Sequence, residues 1–470
     1  MFLWGLGEIM LKRSGALIAA VVLCGVSLGW AQAADFDPRA ATDAMLASVD
    51  EAARAKSDAY FEGGYWFILW NALATMGAAL FLLFTRASAG MRNLAEAITD
   101  RGGLQTFIYG LQFITAMTIL TFPMAYWQDF VREHEFGLSN MSLEDWLRET
   151  AMGFAVSLVM TSVFLVALYG VIRRAGEAWW LWATGLTVGF FVVAVAISPV
   201  FIAPLFNEYK PMREGQLKEE ILAMARANGV PADNVYEFNA SRQSKRISAN
   251  VSGFLGTTRI SLNDNLLERG TPAEVKAVMG HEIGHYVLGH MTEIILTMAV
   301  LAAIAFFFVD IGFGTLHAMF GRMWGVRDFG DTAGLPILVF TLALFGLLAT
   351  PVTNSITRTN EAEADIFGLN AAREPDGFAT IALKLAEYRK LDPGPWEEFV
   401  FFDHPSGRAR IHMAMQWKAV QMGGQAMPMS VEGFAAPPAP DALAHPAFAP
   451  FEGEGEPPAF QDLPAADTNR

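Results

Sequence analysis

Cysteine is all but absent from this chain. One residue, Cys24, stands in the whole 470-residue sequence. It lies in an apolar stretch near the start, so the mature part can build neither a disulfide framework nor a cysteine-ligated metal site. Charge is scarce as well: 17% of residues are charged and the net charge is −15. No basic stripe occurs, which excludes nucleic acid as a partner, because binding phosphates requires a basic face. No internal repeat is visible. At 53% hydrophobic residues, the composition is not that of an ordinary soluble enzyme.

Runs of about twenty apolar residues have the length that crosses a hydrocarbon core. They fall near 65–84, 104–124, 151–172, 178–203, 293–313 and 333–353. A buried helix would explain any one of them, but not the whole set. Lys12-Arg13 followed by apolar Ala16–Trp30 and Ala31-Gln32-Ala33 reads as a signal peptide over 1–33; the alternative is an uncleaved first membrane helix. Residues 34–205 then hold a polar N-terminal helix and four spans. Residues 206–292 form a polar insertion, 293–353 two further spans, and 354–423 a polar helical block. The Pro- and acid-rich stretch 424–470 is expected to be a disordered tail.

The insertion contains His281-Glu282-Ile283-Gly284-His285. Two imidazoles four residues apart share one face of a helix. There they suit a Zn²⁺ ion, with Glu282 beside the water to be deprotonated. Thr271-Pro272-Ala273-Glu274 supplies a capping box and a proline at the first helical position. Upstream, Gln216–Asn228 reads as an amphipathic helix, Val235–Phe238 as a strand, and 246–253 with 257–262 as a hairpin. A hydrolytic zinc needs a third protein ligand. On a continuous helix His290 would be half a turn out of phase, which makes it an interfacial residue at the mouth of the fifth span. Glu361 and Asp365 share a face downstream, whereas Glu363 points away from it; the pattern alone does not choose between Glu361 and Glu363.

These motifs, in this order, resemble one family. Gly280-His281-Glu282-Ile283-Gly284-His285, then Asn354, Arg358 and Glu361-Ala362-Glu363-Ala364-Asp365, look like the Ste24-like zinc CAAX prenyl proteases of peptidase family M48. So do Ser248-Ala249-Asn250-Val251 before the zinc helix and Asp403-His404-Pro405 with Arg410-Ile411 after it. The resemblance implies a mainly α, polytopic membrane protein with a zincin-like α+β metallopeptidase domain inserted between spans. It implies one Zn²⁺ per chain on His281, His285 and Glu361, with Glu282 as general base and Asp365 behind the ligands. Arg358 would hold the ligand helix and its carboxylate, and His404 would stabilise the oxyanion. Asn250, Val251, Ser252 and Gly253 would belong to an edge strand that pairs with an extended peptide. Val251-Ser252 departs from the aromatic continuation usual there.

The reaction implied is peptide-bond hydrolysis at a lipid bilayer, on peptide or protein substrates that are lipidated or membrane-derived. A quality-control protease without prenyl specificity is the alternative. A catalytically silent binding protein would lack a ligand or the base. A transporter is disfavoured by the scarcity of ionisable residues within the spans, of which Asp310 is the clearest. The chain is expected in a bacterial cytoplasmic (inner) membrane. Lys12-Arg13, Arg86, Arg92, Arg101 and Arg173-Arg174 inside would put 206–292 outside. Retaining the first helix with its N-terminus outside inverts that order and restores the family's usual cytoplasmic zinc domain.

Overall fold

The computed structural model describes residues 36–252 and 258–422; the expected signal peptide, the 424–470 tail and Gly253 lie outside them. Long apolar helices dominate. In chain order they are α1 (Pro38–Ala47), α2 (Glu51–Phe84), α3 (Ala87–Ile98), α4 (Gly102–Tyr126), α5 (Leu143–Ala175) and α6 (Trp179–Ile197). After the insertion come α9 (His290–Trp324) and α10 (Leu335–Ala372). Among the described residues, five helical stretches are long and apolar enough to cross a membrane, the third running Leu143–Phe206. That stretch doubles back at Gly176, as the Phe164 and Phe190 rings show by lying 5.1 Å apart. Leu296, Val300 and Leu348 are 63%, 61% and 64% exposed, a cost in water but not against lipid tails.

Helices of 34, 35 and 38 residues (α2, α9 and α10) are roughly 50 Å long at 1.5 Å per residue. A bilayer core uses about twenty residues. At one end the extra turns of these helices join the polar insertion. At the other, α2 gives way to Arg86, and α9 and α10 are joined by a loop carrying Arg327 and Asp331. Toward that second end, Tyr109, Tyr169, Trp179, Phe313 and Trp324 fill the bundle core. Asp310 lies well inside α9 and accepts the Trp179 indole N–H at 2.7 Å.

The insertion builds β1 (Tyr209–Pro211), α7 (Gln216–Ala227), β2 (Val235–Phe238), β3 (Ala249–Ser252), β4 (Arg259–Asn263) and α8 (Pro272–Val287). The sheet order is β1-β2-β4-β3. β2 runs parallel to β4, while β1 and β3 are antiparallel to their neighbours. β3 is therefore an edge strand, with Asn250 opposite Ser261 and Val251 opposite Ile260. One face of the sheet, Ile260 and Leu262, packs on Val275, Met279 and Ile283 of α8 and Phe367 of α10. The capping box starts α8 as its sequence requires, with Thr271 N–H donating to Glu274 at 2.7 Å.

After α10 come α11 (Pro375–Lys384), α12 (Pro395–Phe401) and α13 (Gly407–Gln421). The sequence division at 353/354 is not a structural boundary, because α10 continues unbroken across it. Nor does α1 belong with the spans: its Leu46 is buried with Ile411, Met413 and Ala414 of α13.

Candidate metal centre

Small residues let the two ligand-bearing helices touch. A Cβ added at Gly280 of α8 would meet the Gly368 carbonyl at 2.8 Å, and one at Gly368 of α10 would meet the His281 nitrogen at 2.7 Å. That close crossing brings His281 and His285 against the Glu361 carboxylate. His281 Nε2 and His285 Nε2 lie 3.1 Å apart. Glu361 Oε2 is 3.2 Å from His281 Nε2, and Glu361 Oε1 is 3.5 Å from His285 Nε2. Despite this proximity Glu361 Oε2 is buried and has no hydrogen-bond partner. Two imidazole nitrogens and a carboxylate oxygen converging on one point, one of them unsatisfied, fit a cation with N/O ligands. Zinc suits this donor set.

His281 is braced from behind. Asp365 is fully buried and accepts from His281 Nδ1 at 2.7 Å. Arg410 of α13 grips both Asp365 oxygens, at 2.8 and 2.6 Å. This carboxylate–imidazole contact fixes which ring nitrogen faces the His285–Glu361 cluster. Against the cost of burial, its hydrogen bond to Asp365 and the negative charges of Asp365 and Glu361 beside it raise the metal-free His281 to about 10. Burial raises the Glu282 carboxyl as well, which improves it as a proton acceptor. His404 places Nε2 3.3 Å from Glu361 Oε2, while its Nδ1 is held by Asp403 at 2.8 Å. Arg389 approaches the same Nε2 at 3.5 Å.

Two readings of the sequence need correcting. Arg358 does not reach the Glu361 carboxylate; it donates to the carbonyls of Glu398 and Phe402 at 2.9 and 2.5 Å and to Ser355. It ties α10 to α12, just ahead of the His404 turn. His290 does not continue one helix with His285: Gly289 takes a left-handed conformation, φ 73°, so the helix breaks and His290, at the mouth of α9 and 2% exposed, turns back to His285. The two Nδ1 atoms are 2.8 Å apart. Glu363 points away from the Glu361–Asp365 face, as its spacing implies, and its Oε2 lies 3.3 Å from His290 Nε2. Asn250, Val251 and Ser252 lie on the edge strand, all half-buried.

Sequence reasoning left Arg410 without a role and dismissed His290. The signal for His290 was Gly289, a helix-terminating residue four positions after His285. No local signal announces that Arg410 reaches Asp365, 45 residues earlier in the chain.

Spans, a zincin-like sheet and helix, and a His/His/Glu centre define a membrane metallopeptidase. Comparison with known proteins gives the family. Residues 211–418 match the family model "Peptidase family M48", and residues 38–208 match "CAAX prenyl protease N-terminal, five membrane helices". Between them these matches cover most of the chain, which belongs to peptidase family M48. The uncharacterized metalloprotease YhfN of Bacillus subtilis is 28% identical over 337 residues, 71% of this chain and 78% of that protein. CAAX prenyl protease 1 of Saccharomyces cerevisiae is 26% identical, over 63% of this chain and 68% of its own. The crystal structure of S. mikatae Ste24p shares the fold, with a TM-score of 0.65 at 19% identity over 78% of this chain and 90% of that one. The protein is thus a multi-pass membrane metalloprotease that acts on peptide bonds.

Proposed function

We propose that the chain holds a single zinc ion on His281, His285 and Glu361 and cleaves extended peptides laid along β3. The observation that carries this reading is Glu361 Oε2, buried and unpartnered beside two imidazole nitrogens. Zinc bound there would lower the pKa of a water toward about 7 and polarise the scissile carbonyl. Glu282, one residue after His281 on α8, accepts the proton of the attacking water and returns it to the leaving amine. His404, steadied by Asp403, is the group available to the developing oxyanion. Arg410 and Asp365 hold His281 in register, and Arg358 holds α12 against α10 ahead of the His404 turn.

The substrate pairs by its main chain with β3, so recognition reads the peptide backbone rather than a lipid. A lipidated, membrane-derived peptide is accepted in this reading, and a prenyl group is not required. The enzyme acts from a bacterial cytoplasmic membrane with its zinc end outside. Charge supports that side. Arg86 donates to the carbonyls of Arg322 and Met323, Arg173 to that of Gly330, and Arg327 pairs with Glu96. These arginines therefore gather in short loops at the end of the bundle away from the zinc. The positive-inside rule assigns such loops to the cytoplasm.

Matched peptides with and without a prenyl group test the reading, with Glu282→Gln as the blank. Cleavage of both by wild type and of neither by the variant is expected. Cleavage of the prenylated peptide alone contradicts the proposed breadth, and cleavage by the variant contradicts the mechanism.

A further inference from the structure

The corrected position of His290 has a chemical consequence. With His285 Nε2 turned toward the ligand cluster, its Nδ1 carries the ring proton. The partner 2.8 Å away is His290 Nδ1, which must then accept. An imidazole accepting at Nδ1 carries its own proton on Nε2, and that nitrogen faces Glu363 Oε2 at 3.3 Å. The contacts are therefore consistent in one direction only, from His285 to His290 to Glu363.

We propose that His290 is the positioning residue for His285, and that through it Glu363 favours the tautomer and ring orientation that ligate the metal. The inference rests on the zinc site proposed above. It makes the two imidazole ligands unequal: His281 leans on a carboxylate directly, whereas His285 leans on a neutral ring with a carboxylate behind it. It also ties the site to the membrane, because His290 is the first residue of the span α9 and Glu363 lies on α10 two residues from Glu361. Gly289 makes the turn possible. A Cβ there would meet nothing within 4 Å, so its cost would come from the left-handed backbone alone.

The test is the zinc dissociation constant of the full chain in detergent, measured by chelator competition, with the metal-free melting temperature as a check on folding. His290→Leu fills space without hydrogen bonds and should weaken zinc roughly ten- to a hundredfold, as loss of a ligand's outer partner does. His290→Asn keeps an acceptor where Nδ1 stood and should recover most of that loss. Glu363→Gln should fall between wild type and His290→Leu, and it carries the test if His290→Leu does not fold. Wild-type affinity in both His290→Leu and Glu363→Gln, or an Asn variant no better than the Leu variant, overturns the assignment. A wild-type chain that binds no zinc instead contradicts the function on which the inference rests.

Discussion

The same long helices end in two very different clusters of charge. At the arginine end every buried charge is answered. Arg92 and Asp331, with side chains 9% and 3% exposed, pair directly; Arg92 also donates to Gly325, and Asp331 accepts from the backbone of Arg327 and Ala333. At the zinc end a buried carboxylate oxygen, Glu361 Oε2, is left without a hydrogen bond, and two imidazole nitrogens face each other at 3.1 Å. A protein that can satisfy its buried charges at one end and does not at the other is holding the second arrangement ready for a ligand. One end is built for stability and orientation, the other for chemistry.

Substitutions should separate the two. The largest effect is expected from Glu361→Gln or His281→Ala, which should abolish both zinc retention and peptide cleavage. Metal analysis of purified protein checks this while the metal-free fold persists. At the other end, Asp331→Ala strands Arg92 in the interior and should cost about 3–5 kcal/mol of stability, read as a lower melting temperature. Protein that remains folded should keep its zinc. Loss of zinc at unchanged stability would erase the distinction between the ends.

Smaller effects sharpen the comparison. Asp365→Asn removes the charge behind His281 and should weaken zinc about ten- to a hundredfold, measured by chelator competition. Glu96→Gln breaks an ion pair in which Arg327 is 56% exposed, so it should shift stability by no more than about 1 kcal/mol. A melting-temperature change as large as that of Asp331→Ala would mean that the arginine end is a single buried network.

The sequence made local features legible and distant ones not. The apolar runs, the capped zinc helix, strand Val235–Phe238 and the extended segments Ala249–Ser252 and Arg259–Asn263 all follow from periodicity and capping over a few residues. β1, only three residues long, carries too short a pattern to be read. The parallel pairing of β2 with β4 joins segments more than twenty residues apart, with no turn to mark it. Arg358 was misread because its resemblance-derived role assumed proximity to Glu361; its guanidinium instead finds two carbonyls on α12. His290 was misread by extending a helix through Gly289, where a single left-handed residue redirects the chain. Arg410 was visible only as part of a motif, since its partner comes from another helix.

The most direct test of the account counts zinc and peptide cleavage in the same preparations of wild type and Glu282→Gln. One zinc per chain in both, with cleavage by wild type alone, is the predicted result. Cleavage by Glu282→Gln at the wild-type rate, or by wild type stripped of metal, would contradict it.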